Sequence, residues 1–247
     1  MAINVPDIQR PDKKLVEGLA AVGSATAAGD LSKLGIRDAH LRGLTSWTPG
    51  KAIAGPAVTL QFMPKREDQY HQDEYSDPEE QLHRHALYVS QAGDIVVVDA
   101  RGHMGSGVFG DMMLTYFSGK GGAGIVIDGC IRDWPKAQKL DNLGFWLKGV
   151  TPNFHTQTDI FPYAVNVPIA CCDTLVMPGD IIIADDDGAT VVPISLAEQL
   201  LERASHHAEW EDFSRERLMQ GGDLRRYYPL HDDARDEYEQ WKKEKGL

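Results

Sequence analysis

Four short, uninterrupted apolar runs constrain the fold of this chain more than any other feature of its sequence. They are rich in β-branched residues and span residues 95–98, 125–127, 181–183 and 190–192. Continuous runs of this length are typical of strands that are buried on both faces. Residues 110–117 leave room for one helix between the first two runs. The pattern therefore predicts a strand–helix–strand unit and an α/β fold with an at least partly parallel sheet.

The remaining periodicity predicts helices at both ends of the chain. We expect helices within residues 11–34, 82–90, 195–219 and 235–245, and a further strand at 56–62. The polar and strongly charged stretch at 64–80 is predicted to be a solvated loop or lid. We therefore divide the chain into one domain, residues 1–221, and a C-terminal extension, residues 222–247. The extension is expected to pack on that domain or on a neighbouring subunit.

Two strand entries resemble each other. Residues 92–99 and 178–185 both contain Gly-Asp, then a β-branched run, then Asp. A single pair is too little to define a repeat array. The similarity instead predicts related structural roles for the two strands.

The charge balance argues against nucleic acid as a partner. The 247 residues contain 37 Asp and Glu against 25 Lys and Arg, a net charge of −12. Such a surface repels nucleic-acid phosphates, so we expect no nucleic-acid partner.

No window resembles a membrane-spanning helix and the N-terminus resembles no secretory signal, so we expect no membrane partner and a cytoplasmic location. The three cysteines have neither disulfide-framework nor zinc-site spacing and are expected to be buried or idle thiols.

A formal dinucleotide-binding motif lies at residues 105–110. GxGxxG binds a pyrophosphate when it directly follows a strand and opens a helix. Here five residues separate the motif from the end of the run at Asp99. We interpret the match as accidental, and a nucleotide-dependent oxidoreductase remains as a competing hypothesis.

A second group of residues is better placed for chemistry. Asp111 lies at the predicted start of a helix, where free backbone N–H groups bind carboxylate or phosphate. Arg132 and Asp133 follow a buried strand, at the edge of the sheet where α/β proteins bind ligands. An Arg recognises a carboxylate or enolate, and an Asp beside it can hold Mg²⁺. From spacing alone, a surface turn pair with Asp111 as a simple N-cap is an equal alternative.

Several sequence blocks resemble the RraA-like family, which includes the 4-hydroxy-4-methyl-2-oxoglutarate aldolases. The resemblance covers residues 24–221, and its blocks are 55–59, 93–99, 110–113, 124–133 and 178–188. The aldolase members share an Asp, twenty intervening residues and then Arg-Asp. Asp111, Arg132 and Asp133 retain that spacing. Members that act as ribonuclease regulators typically lose this motif, so its presence favours an enzyme.

The resemblance implies a swivelling β/β/α sandwich and a homotrimer or homohexamer. It also implies a metal-dependent lyase that releases pyruvate from a 2-oxo acid substrate by retro-aldol cleavage and often decarboxylates oxaloacetate. The expected cofactor is Mg²⁺, Mn²⁺ or another divalent cation. The alternative is a non-catalytic regulator that inhibits a ribonuclease or helicase.

By the same resemblance, Asp133 binds the metal directly and Asp111 holds it through water. Arg132 stabilises the enolate. The substrate carboxylate is expected to bind at Gly110 and at the backbone amides of Met112 and Met113.

The family also places an acidic residue from the C-terminal helix of a neighbouring subunit in the site. Glu209 is our candidate for a contact to the metal through water, with Glu211 next to it. The alternative for either residue is a solvated helix face.

Other polar groups have simpler interpretations. Residues 185–188, Asp-Asp-Asp-Gly, lie between two apolar runs and predict a hairpin turn. The pairs His83/His85 and His206/His207 lack the spacing of helical metal ligands and are predicted to lie at the surface. His103 is a loop histidine that could contact substrate. Lys120 and Lys136 are near the motif, but nothing marks either as a buried Schiff-base lysine.

Overall fold

The β-branched runs form neighbouring strands in the computed structural model, which describes residues 5–68, 77–154 and 159–246. The strands within these ranges are β1 (Thr45–Ser46), β2 (Ile53–Pro64), β3 (Ile95–Gly107), β4 (Gly124–Ile131), β5 (Gly144–Val150), β6 (Ile160–Val165), β7 (Ile169–Cys171), β8 (Thr174–Val176), β9 (Ile181–Asp185) and β10 (Gly188–Val192). All four predicted runs are strands, and the fifth predicted strand lies within β2.

All the helices predicted from the sequence are present, and two short helices at 134–137 and 224–227 were not predicted. The helices are α1 (Lys13–Val22), α2 (Ser24–Lys33), α3 (Leu82–Val89), α4 (Asp111–Gly119), α5 (Trp134–Ala137), α6 (Ala197–Met219), α7 (Leu224–Tyr227) and α8 (Arg235–Lys245). Gly23, with φ of 79°, separates α1 from α2. None of the helices in the described ranges is long and apolar enough to span a bilayer.

The centre of the large sheet is parallel. Its strand order is β1-β5-β4-β3-β2-β9-β10, and β6 also pairs with β2. Strands β2, β3, β4 and β5 run parallel to one another, whereas β1 is antiparallel to β5, β6 and β9 are antiparallel to β2, and β10 is antiparallel to β9. The predicted strand–helix–strand unit is β3-α4-β4. Because β3 and β4 are parallel neighbours, their carboxyl ends lie at the same edge of the sheet.

The two faces of the parallel strands are covered by different layers. Val96, Val98, Ile125 and Ile127 face a core that includes residues of α3 and α4. Their alternating neighbours, among them Val97 and Val126, pack with residues of β7, β8, β9 and β10. Alternation along each strand therefore produces a helical layer, a central sheet and a second β layer. This arrangement is the predicted β/β/α sandwich.

The two similar strand entries adopt the same turn. Residues 91–94 and 177–180 each close an i to i+3 hydrogen bond, and the third residue of each turn is a glycine with φ of 87° or 90°. This conformation is the type II turn, which favours glycine at its third position. The final residues, Asp94 and Asp180, each accept a hydrogen bond from the backbone N–H of the first. The predicted common structural role is confirmed.

The structure corrects three details of the sequence interpretation. His83, predicted at the surface, is buried in the helical layer, where its ring stacks on Phe109 at a centroid distance of 6.5 Å. His103 lies within β3 and not in a loop. The charged stretch at 64–80 begins at the last residue of β2 and ends in a 3-10 turn at Pro78–Glu80, while its residues 69–76 lie outside the described ranges.

The chain divides into two compact units, the first ending at Glu198 and the second beginning at Gln199. The second unit has its own small core of Phe213, Tyr227, Ala234 and Trp241. The indole N–H of Trp241 donates to Glu216 at 2.9 Å. The functional division at residues 221/222 stays a prediction.

Candidate active site

The segment before α4 runs beside the end of β4. The N–H of Val108 donates to Cys130 O at 2.9 Å, and the N–H of Arg132 donates to Phe109 O at 3.0 Å. These two hydrogen bonds hold the start of α4 against the residues that follow β4. The sequence-predicted residues Asp111, Arg132 and Asp133 are thereby brought together at the carboxyl edge of the parallel strands.

Gly110 leaves space for two side chains where the two segments meet. A Cβ atom on Gly110 would lie 2.8 Å from Asp133 Oδ2 and 2.9 Å from Arg132 Nε. Contacts this short would force the Asp133 and Arg132 side chains to shift, so the glycine is what lets both approach the first turn of α4 as closely as they do. Gly110 is extended, with φ of −104° and ψ of 174°, so the glycine is needed here for space and not for its backbone conformation.

Asp133 has an uncommon backbone conformation. Its φ of 58° and ψ of 32° are left-handed, a region that Asp tolerates better than most residues. The turn directs its carboxylate back to the site, where Oδ2 lies 3.3 Å from Arg132 Nε. The same oxygen accepts a long hydrogen bond of 3.4 Å from the N–H of Asp111. Left-handed residues are often retained at functional sites.

The first turn of α4 presents backbone donors. Leu114 N–H bonds Gly110 O at 3.1 Å, so the helix begins at Asp111, and no side chain caps it at Gly110. The N–H groups of Met112 and Met113 belong to this first turn, for which a helix supplies no acceptor. The Met112 side chain is 75% exposed, whereas Met113 packs against the core. The helix start can therefore bind an anion.

A lysine that the sequence analysis considered only for Schiff-base chemistry contacts this site. Lys136 Nζ lies 3.0 Å from Asp111 Oδ2. The ammonium beside it, with a smaller contribution from the N–H of Met112, holds the pKa of Asp111 below its usual value. The same contact raises the pKa of Lys136. Asp111 is therefore ionised and paired in the isolated chain.

Arg132 is supported by an aromatic ring. Its guanidinium carbon lies 5.8 Å from the centroid of Phe154, within the range of cation–π attraction. The guanidinium is partly exposed and shares the site with two carboxylates. Phe154 was not predicted, because an aromatic residue 22 positions after Arg132 has no distinguishing local signal.

The donor set suits a hard, hydrated cation. The described residues contain no cluster of three or more His, Cys, Asp or Glu side chains that could hold a metal. Asp111 and Asp133 together supply two carboxylates at the start of α4. Mg²⁺ is usually bound by one or two carboxylates and keeps several waters, so the residues present fit Mg²⁺ better than a protein-enclosed Zn²⁺.

Other candidates lie apart from this set or remain predictions. Glu209 belongs to the second unit, where the hydroxyl of Tyr238 donates to it at 3.4 Å, so its role stays a prediction. Lys120 donates to Tyr88 O at 2.7 Å on the helical layer. Gly105 and Gly107 lie inside β3, and residues 185–188 form the predicted hairpin between β9 and β10.

The fold and the site together define a class of protein: an α/β sandwich with Asp, Arg and Asp side chains at the carboxyl edge of its parallel strands. The chain belongs to the RraA-like family, whose Aldolase/RraA model matches residues 16–191. The family membership and the fold predicted from the sequence are confirmed.

Individual relatives have two kinds of name. A protein of Halalkalibacterium halodurans named "Putative 4-hydroxy-4-methyl-2-oxoglutarate aldolase" is 37% identical over 134 residues, which are 54% of this chain and 62% of that protein. The match thus spans less than two thirds of that relative. RraAS2 of Streptomyces coelicolor, described as "an unusual member of the RNase ES inhibitor RraA protein family", is 45% identical, with a TM-score of 0.75 over 84% of this chain and 98% of that chain.

A third relative supports the fold alone. An uncharacterized protein from Pseudomonas syringae has a TM-score of 0.78, covering 93% of this chain and 100% of that chain, at 23% identity. The two solved relatives therefore agree on the architecture, and the relatives together include both an aldolase name and an inhibitor-family name.

Proposed function

We propose that this chain is a divalent-metal-dependent lyase that releases pyruvate from a 4-hydroxy-2-oxo acid by retro-aldol cleavage. The proposed substrate resembles 4-hydroxy-4-methyl-2-oxoglutarate, and oxaloacetate decarboxylation is proposed as a second activity of the same site. The observation that supports this most is the convergence of Asp111, Arg132 and Asp133 at the start of α4. The name of the 37% identical relative supports the same reaction.

The substrate carboxylate is proposed to bind at the start of α4. The N–H groups of Met112 and Met113 are oriented by the helix, and its dipole favours a negative charge there. Gly110 lets the carboxylate approach the backbone closely. The keto group next to that carboxylate then lies near Arg132, whose guanidinium can donate to the keto oxygen.

The proposed metal ligands are the two aspartates. Asp133 would hold Mg²⁺, Mn²⁺ or another divalent cation directly, and Asp111 would hold it through water. Glu209 of the partner subunit is proposed to complete the site through water in a homotrimer or homohexamer. When bound, the cation supplies positive charge that stabilises a developing oxyanion.

Both proposed reactions require the same stabilisation. In retro-aldol cleavage the bond between C3 and C4 breaks, the C4 hydroxyl loses its proton to a base, and the electron pair remains on the pyruvate fragment as an enolate. Decarboxylation of oxaloacetate breaks the bond to the C4 carboxylate and leaves the same enolate. Arg132 would pair with the enolate oxygen as its negative charge develops, which lowers the barrier. Protonation at C3 then gives pyruvate.

The experiment is a screen of 2-oxo acids with Mg²⁺ or Mn²⁺, coupled to pyruvate detection. We expect pyruvate release that EDTA abolishes and that Arg132→Ala lowers in kcat/KM by about 100- to 1,000-fold. Arg37→Ala, which removes an exposed arginine from another part of the chain, is the matched control and should leave activity unchanged. Release of pyruvate that EDTA and Arg132→Ala leave unchanged would refute the proposal.

A second candidate function rests on the 45% identity to RraAS2, a member of an RNase ES inhibitor family. In that case the chain inhibits the ribonuclease by binding it and turns over no 2-oxo acid. RNA cleavage by RNase ES in the presence of the wild type and of Asp133→Ala distinguishes the two. Equal inhibition by both proteins, without pyruvate release, would favour the regulator.

We also propose a cytoplasmic location, which three buried free thiols favour.

A further inference from the structure

The contact between Lys136 and Asp111 is the starting observation. Asp133 immediately precedes α5, and Lys136 lies within that helix, three residues later. The ammonium reaches across to α4 and pairs with Asp111 Oδ2 at 3.0 Å. The Lys136 side chain is 71% exposed and that of Asp111 is 19% exposed. The lysine therefore covers Asp111 from the solvent side.

The charges of this group balance without a metal. Two carboxylates, Asp111 and Asp133, lie with two cations, Arg132 and Lys136. Asp133 pairs with Arg132, and Asp111 pairs with Lys136.

We propose that Lys136 is a displaceable counter-cation of the metal site, which occupies Asp111 until a divalent cation takes its place. The inference rests on the proposed function, in which Asp111 holds the cation through water. An ammonium and a hydrated divalent cation compete for the same carboxylate, and they repel each other at this distance. Lys136 thereby sets the affinity of the site for its metal.

The structure allows this exchange at little cost. Exposed ion pairs contribute little to stability, so a divalent cation can displace the lysine. The Lys136 side chain has four methylene groups and is mostly in solvent, so it can swing away without loss of core packing. Asp111 stays in place, since it begins α4 and its N–H is bonded to Asp133.

The test is the binding of Mn²⁺ alone to the metal-free full-length protein, measured by isothermal titration calorimetry and by the EPR signal of free Mn²⁺. We expect Lys136→Met to lower the Kd for Mn²⁺ by about three- to tenfold. Lys136→Arg keeps the charge and should stay within about twofold of the wild type. Lys139→Met removes an exposed charge three residues away and is the matched control, also expected within about twofold.

A double-mutant cycle separates the pair contact from the general field of the protein. In an Asp111→Asn background, Lys136→Met should no longer change the Kd, because the carboxylate for which the two cations compete is absent. A persistent effect in that background would overturn the inference.

The remaining outcomes distinguish this inference from the proposed function. An unchanged or raised Kd in Lys136→Met, with Mn²⁺ still bound by the wild type, overturns the role of Lys136 and leaves the metal-dependent lyase intact. Absence of Mn²⁺ binding to both the wild type and Lys136→Met overturns both. Binding only after the substitution supports the inference in its strongest form.

Discussion

At the scale of single residues, Gly110 decides whether the site can form. A methyl group there would lie within 3 Å of both Asp133 Oδ2 and Arg132 Nε. Gly110→Ala is expected to displace both side chains by about 1 Å and to lower kcat/KM by about 100-fold. The fold should be retained, as measured by circular dichroism and thermal unfolding.

Gly119, at the other end of α4, provides the matched control for that substitution. A Cβ atom on Gly119 meets nothing within 4 Å. Gly119→Ala should therefore leave the activity unchanged and stabilise the helix slightly. Equal activity losses in the two variants would show that the effect of Gly110→Ala comes from the helix and not from the site.

Asp99 predicts a specific dependence of stability on pH. It is 4% exposed, and burial raises its pKa even though the N–H of Arg101 donates to it at 3.0 Å. Between the unfolded pKa, about 3.9, and the higher folded pKa, the folded state binds more protons than the unfolded state. The contribution of Asp99 to the free energy of unfolding therefore falls as pH rises through that interval.

Asp99→Asn tests this expectation, because it removes the ionisation and keeps the shape. The stability of the wild type relative to Asp99→Asn should decrease with rising pH across that interval, as measured by urea unfolding at several pH values. A difference that grows in favour of the wild type as pH rises would show that the folded pKa of Asp99 is lowered.

At the residue scale, the sequence predicted which three side chains of the site lie close together. It did not predict the contact of Lys136 or the burial of His83. Asp111, Arg132 and Asp133 could be identified as neighbours, because both segments follow parallel strands to the same edge. Lys136 was assigned no contact, because its partner lies 25 positions away and exposed ion pairs leave no periodic signal. His83 was placed at the surface although the buried face of α3 includes it.

At the scale of elements, a buried ion pair joins the N-terminal segment to the turn before β3. Asp94 is fully buried and accepts from Arg10 Nε at 3.0 Å and Nη2 at 2.8 Å, and from the N–H of Gln91 at 2.7 Å. Asp94→Ala removes the acceptor of Arg10 Nε and of the Gln91 N–H, and leaves Arg10 Nη2 with only a long contact of 3.4 Å to Val89 O. We expect a loss of at least about 2 kcal/mol in the free energy of unfolding, measured by urea denaturation.

Arg10 also offers the control for this pair. Its Nη1 contacts Asp7 at 2.8 Å, but the Asp7 side chain is 70% exposed. Asp7→Ala should cost much less than Asp94→Ala, since solvent screens an exposed pair. Similar losses in the two variants would mean that burial of Asp94 does not determine the strength of the contact.

The sequence predicted the existence of most elements but not all of their lengths. β3 was expected to end near Asp99, whereas it continues to Gly107 after Arg101 and Gly102, which both have positive φ. The register shifts there, so the continuation lacks the alternation by which strands are recognised. Five strands and two helices were not predicted: β1, β5, β6, β7, β8, α5 and α7. The helices span four residues each, and the strands are short or rich in glycine and depend on pairing partners distant in sequence.

At the scale of the whole molecule, the position of the site follows from topology. The β3-α4-β4 unit places the start of α4 and the end of β4 at one edge of the sheet, between the helical and β layers. The sequence similarity between residues 92–99 and 178–185 corresponds to two strands of the same sheet, each of which begins after the same type of turn. The topology therefore accounts for both the position of the site and the similarity of the two segments.

The central claim is that Arg132 and a divalent cation together stabilise the enolate of pyruvate. The most direct test is the binding of oxalate, a planar dianion that resembles this enolate, measured by calorimetry with Mg²⁺ and with EDTA. We predict binding that requires Mg²⁺ and that weakens at least about tenfold in Arg132→Met. Oxalate binding of equal affinity in EDTA, or of equal affinity to the wild type and Arg132→Met, would contradict the claim.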